Sequence, residues 1–158
     1  MVASLLLVVA SIQAGELPRT TADCQATGPS ASAVRLVAER IIAADNRRDI
    51  AAVMALYSQA AWLLPPMEPP VQGHDNIRPR YERLFAGFSP AIDGHIDDVC
   101  VSGTIGVVRG HNRGSMRGLN GQPSRTVDDV YLMVVTRERD EQWRISQLIW
   151  HPPSKVNQ

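Results

Sequence analysis

Two adjacent acids, Asp128 and Asp129, open an apolar run that continues through Val130, Tyr131, Leu132, Met133, Val134 and Val135. Side chains of a strand alternate between its faces, so only one of the two acids shares a face with Tyr131 and Met133. With that pair inward, the acid is Asp129. A carboxyl held between apolar neighbours at a cavity wall keeps its proton to higher pH, because burial penalises the charged form, and it can then donate a hydrogen bond. Its plainer role is structural, bonded to a helix amide or paired with Arg78, Arg80 or Arg125. His151 follows Trp150 at the end of an apolar segment, where a neutral imidazole could serve as acid or base; as a rim histidine it would do neither. Asp129 and His151 are therefore the candidate catalytic pair. Asn112 could orient a carbonyl or hydroxyl, and Tyr57, Trp62, Tyr131, Met133 and Trp150 could wall a pocket for a flat apolar ligand. Core packing explains the aromatic residues equally well, Trp62 above all. His74 stands beside a helix start, and His111 lies on a polar strand face, which favours solvated or contact roles for both.

Cys24 and Cys100 are the only cysteines. In an oxidising compartment they form one disulfide, tying an N-terminal tail to the fold; otherwise they are two unrelated thiols. No close cluster of Cys and His suggests a metal, and no cofactor is called for.

The elements that would position these groups fall into two halves. Residues 34–46 place Val34, Val37, Ala38, Ile41 and Ile42 on one helical face. Asp49 can cap a second helix with Ile50, Val53, Met54 and Tyr57 inward. Ala61 to Leu64 is a short strand stopped by Pro65 and Pro66, and Met67 to Gly73 is a stiff proline-rich loop. A third helix, capped by Asp75, turns Ile77, Tyr81, Leu84, Phe85 and Phe88 inward, with Pro79 near its first turn. From Ala91 the pattern is strands: 95–101, 105–117, 124–137 and 143–150. Asn120-Gly121 is a hairpin signal, and the run from Arg137 to Gln142 is a charged turn. In the second of these strands Val108, Gly110, Asn112, Gly114 and Met116 face the helices. Inward glycines leave room for a hollow between sheet and helices, although they could instead mark a bulge. The strand around Tyr131 is apolar on both faces, so its outer side is expected to meet a second copy of the chain.

The 158 residues suffice for one domain. Sixteen basic and sixteen acidic residues balance, which gives no basic excess for nucleic acid, and no apolar run is long enough to span a bilayer. Val2 to Ile12 is apolar and Ala14-Gly15 offers a small-residue cleavage point, the pattern of a secretory leader. The domain reading is a leader over 1–14, a loose tail over 15–33, one α+β domain over 34–154 and a short tail over 155–158, in a secreted or periplasmic protein.

The segments NRRDIAAVMALYSQAAWLLPP, PPVQGHDNIRPRY and MVVTRERDEQWRISQLIWHPPS resemble the SnoaL-like, nuclear transport factor 2-like superfamily. The similar branch is the small domains related to the calcium/calmodulin-dependent kinase II association domain. The resemblance covers residues 34–154 and implies a cone-shaped α+β barrel, a curved sheet wrapped round the first helix with a pocket at its wide end. Fold alone leaves function open, since this one hosts enzymes, binders and assembly modules. The ketosteroid isomerases of the superfamily use an Asp base with a Tyr and a protonated Asp. Their base position falls here on Pro65, their Tyr position on Ile41, and only the protonated Asp finds a counterpart, Asp129. Proton transfer of that type therefore has no base. The expected function is an exported domain binding an apolar or carbonyl-bearing small molecule, as a homodimer. The alternatives are a cyclase, isomerase or hydrolase working through Asp129 and His151, or a dimerisation module with a filled pocket.

Overall fold

The computed structural model describes residues 24–153 of the chain. The expected leader lies outside them. Helix α1 spans Pro29–Arg47, α2 Ile50–Leu56 and α3 His74–Gly87. The strands are β1 Tyr57–Leu64, β2 Val71–Gln72, β3 Phe88–Ser102, β4 Ile105–Gly118, β5 Arg125–Arg137 and β6 Trp143–His151. They form one six-stranded sheet ordered β2-β1-β6-β5-β4-β3, antiparallel throughout except for the β1–β6 pair. This is the expected α+β cone, a curved sheet closed over N-terminal helices.

Several boundaries differ from the expected ones for identifiable reasons. Helix α1 begins at Pro29, ahead of the expected start at Val34, because Pro29 takes the first helical position, where its fixed φ suits a helix and its missing N–H goes unneeded. Asp75 lies inside the first turn of α3, and Gly73 is the residue that precedes the helix. Strand β3 begins at Phe88, pairing register for register with the far end of β4, where polar residues had hidden it. The cap at Asp49 holds: its carboxylate accepts from the Ala52 N–H at 2.9 Å. The Asn120-Gly121 turn also holds, with φ of 52° and 82° and the Gln122 N–H bonded to the Leu119 carbonyl at 2.9 Å.

The core gathers Val34, Val37, Ala38 and Ile41 of α1 with Val99, Val101, Val108, Met133, Val135 and Ile145 of the sheet. Two ties fix α1 along β3. At its start, Cys24 and Cys100 form a disulfide, with Cα atoms 5.0 Å apart, and Gln25 bridges to Val101. At its end, Asn46 clamps Ile92, donating to the carbonyl at 2.7 Å and accepting from the N–H at 2.8 Å. The helix is thus held at both ends, with its last turn over the strand ends where the cavity opens.

Candidate functional site

The expected inward face of β4 is the observed one. Val108 is buried, and Asn112 and Met116 line a cavity. Gly110 is required here: a Cβ would stand 2.2 Å from the His95 carbonyl oxygen and 2.5 Å from the Tyr131 hydroxyl. The outer face carries Arg109, His111 and Arg113. His111 Nδ1 lies 3.0 Å from Asp97, and His95 stacks on His111, so this histidine pair belongs to the outside of the sheet. His74 Nε2 donates to the Tyr57 carbonyl at 2.9 Å, a structural bond beside the α3 start.

The cavity measures about 400 Å³, enough for a small organic ligand. Helix α1 contributes Ala38, Ile41, Ile42 and Asp45; Leu63, Pro66 and Glu68 come from β1 and the loop after it; α3 gives Arg80, Tyr81 and Leu84. The sheet closes it with Asn112, Asp129, Tyr131, Met133, Leu148 and Trp150, among others. Of the residues expected to line a pocket, Asn112, Tyr131, Met133 and Trp150 do so, and Asp129 stands among them. Tyr57 does not; it is buried one layer back, its hydroxyl 3.0 Å from that of Tyr81. Trp62 points out of the cone, 39% exposed, because β1 turns Ala61 and Leu63 inward. His151 is likewise exposed on the opposite face from Trp150, its Nδ1 2.7 Å from the Pro152 carbonyl oxygen.

Asp129 faces Asn112 across the β4–β5 ladder and makes no hydrogen bond or ion pair among the described residues. Burial raises its pKa, the charge of adjacent Asp128 raises it further, and His151 lowers it. The Asp129–His151 pairing is therefore electrostatic and across the rim, with only the acid in the cavity.

The group that sequence reasoning missed is Asp45. It follows Ile41 by four residues and so continues the apolar stripe of α1 with a carboxyl, which was the available signal. Part of the residue reaches solvent, but Oδ1 is inaccessible and has no hydrogen-bond partner among the described residues. Burial pushes its pKa up to about 7.

Behind Asp45 sits the tyrosine pair. Either hydroxyl can donate in this bond, so the pair has one proton left over, and Tyr81 is the member that lines the cavity. Burial raises the pKa of both tyrosines, and both stay neutral. Tyr131 is raised to about 12 by burial, and its hydroxyl donates to the His95 carbonyl at 3.4 Å. At the mouth, Arg80 is paired with Glu68 and lies 6.0 Å over the Trp150 ring. That pairing lowers the pKa of Glu68. Arg125 is stacked on Phe88, 4.5 Å from the ring centre.

A cone of this topology with a cavity under α1 matches a known family model, the SnoaL-like domain, over residues 38–145. The chain belongs to that family. Its fold is also that of a ketosteroid isomerase-like protein from Erwinia carotovora atroseptica, with a TM-score of 0.75 and 20% identity over 81% of this chain and 99% of that one. A nuclear transport factor 2-like superfamily protein from Salmonella enterica superposes with a TM-score of 0.69 and 14% identity, over 82% and 96% of the two chains. A proposed calcium/calmodulin-dependent protein kinase type II association domain from Thiobacillus denitrificans gives 0.62 and 14%, over 76% and 94%. At these identities the SnoaL-like chain shares the fold with them and no more. No curated protein matches it.

Proposed function

We propose that this SnoaL-like domain is an exported small-molecule binder that works as a homodimer. One observation carries the binding reading: an apolar cavity of about 400 Å³ that contains buried polar atoms, Asp45 Oδ1 and Asn112 Oδ1, with no partner among the described residues. Buried polar groups are nearly always bonded, and an unmatched one aimed into a cavity is supplied by what binds there. The apolar leader and the Cys24–Cys100 disulfide support export. No helix among the described residues is long and apolar enough to cross a membrane. For the dimer, the support is the outer sheet face, where Val130, Leu132, Ile149 and Trp62 present a patch of exposed apolar side chains.

A second reading, acid–base catalysis, draws on the same Asp45. A carboxyl that titrates near neutrality can give and take a proton at working pH. In that case Asp45 and Asp129 are the pair inside the cavity, and His151 serves only through its charge.

Native mass spectrometry of the protein from its own source tests the first reading as a whole. The expected species is a dimer whose subunit mass lacks the leader and which carries a small-molecule adduct that Leu148→Trp, a change that fills the cavity, abolishes. An adduct-free protein that binds nothing from a cell extract would remove the binding reading.

A further inference from the structure

The polar groups of the cavity are unequal in kind. Asp45 and Asp129 are carboxyls without a protein donor among the described residues, and Asn112 Oδ1 is a third unmatched acceptor. The cations nearby are already engaged, Arg80 by Glu68 and Arg125 by the Phe88 ring. The tyrosine hydroxyls bond each other, so the pair offers the cavity one proton, and the Asn112 amide N–H groups are the other neutral donors there. A ligand bearing only a carbonyl accepts from Tyr81, from the Asn112 amide or from a protonated carboxyl, but it brings no donor for Asn112 Oδ1 and no charge to pair with an ionised carboxylate. A ligand bearing N–H donors and a positive charge would match all three acceptors, and a buried carboxylate is tolerated chiefly when a cation pairs with it.

We propose that the cavity takes an apolar molecule carrying a protonated amine, received by the Asp45 carboxylate with Asp129 and Asn112 on the facing wall. This rests on the binding reading above and names its ligand class. The apolar remainder lies against Trp150, Tyr131 and Leu148, as an aromatic or alicyclic body would. The amine charges Asp45 on arrival, so binding releases a proton when the pH lies below the free value of about 7. Of the titratable groups around Asp45, Tyr57 of β1 and Tyr81 of α3 stay neutral, and Glu68 is held ionised by its bond to Arg80. Asp129, also raised, adds to the same direction.

The test is calorimetry with three molecules of one shape and different charge: tryptamine, its neutral alcohol tryptophol, and the anion indole-3-propionate. At pH 8 tryptamine is expected to bind roughly tenfold or more tightly than tryptophol, the order of a hydrogen bond to a charged group. Its affinity should fall as the pH is lowered from 7 to 5.5, with a proton released per amine bound. Asp45→Asn should remove both the preference and the proton release. Glu141→Gln, in the charged turn before β6 where Glu141 pairs with Arg137, should leave both intact. Tryptophol or indole-3-propionate binding as well as tryptamine, or a preference that survives Asp45→Asn in a protein that still unfolds cooperatively, overturns the amine and leaves the binding reading standing. No binding by any of the three, in a protein that carries no adduct from its source, overturns both.

Discussion

The two ends of α1 lie on the same sheet and are built in opposite ways. At its start, Val34 is wholly buried against Gly106, whose missing side chain lets the helix settle onto β4: a Cβ there would stand 2.7 Å from Val34 Cγ2. Val101, Val135 and Ile145 fill the space around it, and the disulfide is beside them. At its end, Ile42 lies close over Gly94 and Asn46 is bonded to Ile92 of β3, but the space toward β5 and β6 is left open, and Asp45 lines that cavity together with Asn112 and Asp129. One end has fully buried apolar side chains gathered in the core, and the other has buried polar atoms without partners among the described residues. The difference teaches that stability and function are segregated along one helix. The closed end holds the cone together, and the open end carries groups whose burial destabilises it.

The sharpest way to break that comparison is to truncate one residue of β6 at each end. Ile145 is fully buried, and Ile145→Ala should lower stability by about 2–5 kcal/mol, the cost of lost burial plus a cavity that cannot collapse. Leu148, three residues along the same strand, lines the existing cavity, and Leu148→Ala should cost roughly half that or less because the hollow is already there. Urea unfolding of the two variants measures this. Equal losses would mean that the open end is as tightly packed as the closed one.

Asp45 gives the second comparison, with the opposite sign. Its carboxyl titrates at about 7 in the folded protein against an ordinary 3.8. Below pH 3.8 both folded and unfolded chains hold the proton and it contributes nothing to the pH dependence. Between 3.8 and 7 the unfolded chain has released the proton while the folded one retains it, so stability drains away as the pH rises and levels off above 7. The full drain is about 4 kcal/mol as an upper limit. Asp45→Asn should therefore be more stable than the parent at pH 8 by up to that amount, and nearly equal to it at pH 4. Unfolding curves for both proteins across this range check it, and a constant difference at every pH would show that the Asp45 carboxyl is not held protonated.

The closed end was the legible one. Its signals are periodicities, Val34-Val37-Ala38-Ile41 at helical spacing and Tyr131-Met133-Val135 in alternation, and packing rewards such patterns in any homologous context. The choice of Asp129 over Asp128 followed from the same alternation and agrees with the cavity lining. The glycines of β4, however, do not make the hollow: the Tyr131 hydroxyl and the His95 carbonyl fill the space at Gly110, and Gly114 is exposed against the Ala91 carbonyl. The open end was read less well because its content is an exception to pattern. Asp45 occupies an apolar position, and a single polar residue there looks like the end of a stripe. Trp62 and His151 failed for a simpler reason: their neighbours Leu63 and Trp150 take the inward places, and period two forbids both. Tyr57 was placed inside correctly but one layer too near, since only the structure shows α3 bringing Tyr81 between it and the cavity.

The smallest effect separates the mouth from both ends. Glu68 and Arg80 form an ion pair at the cavity edge, with Glu68 half exposed to water. Exposed pairs are screened and must restrain two flexible side chains, so Glu68→Gln should change stability by no more than about 1 kcal/mol. Its consequence should appear in binding. Freed from Glu68, the Arg80 guanidinium becomes an unpaired cation facing Trp150 and the cavity opening. That charge repels an incoming ammonium and attracts a carboxylate, so the variant should bind tryptamine more weakly and indole-3-propionate more strongly, most clearly at low salt where the charge is least screened. A variant that loses several kcal/mol of stability would make the mouth part of the closed end's packing. One that binds both probes as the parent does would show that Arg80 keeps its place over Trp150 by stacking alone, with Glu68 a bystander.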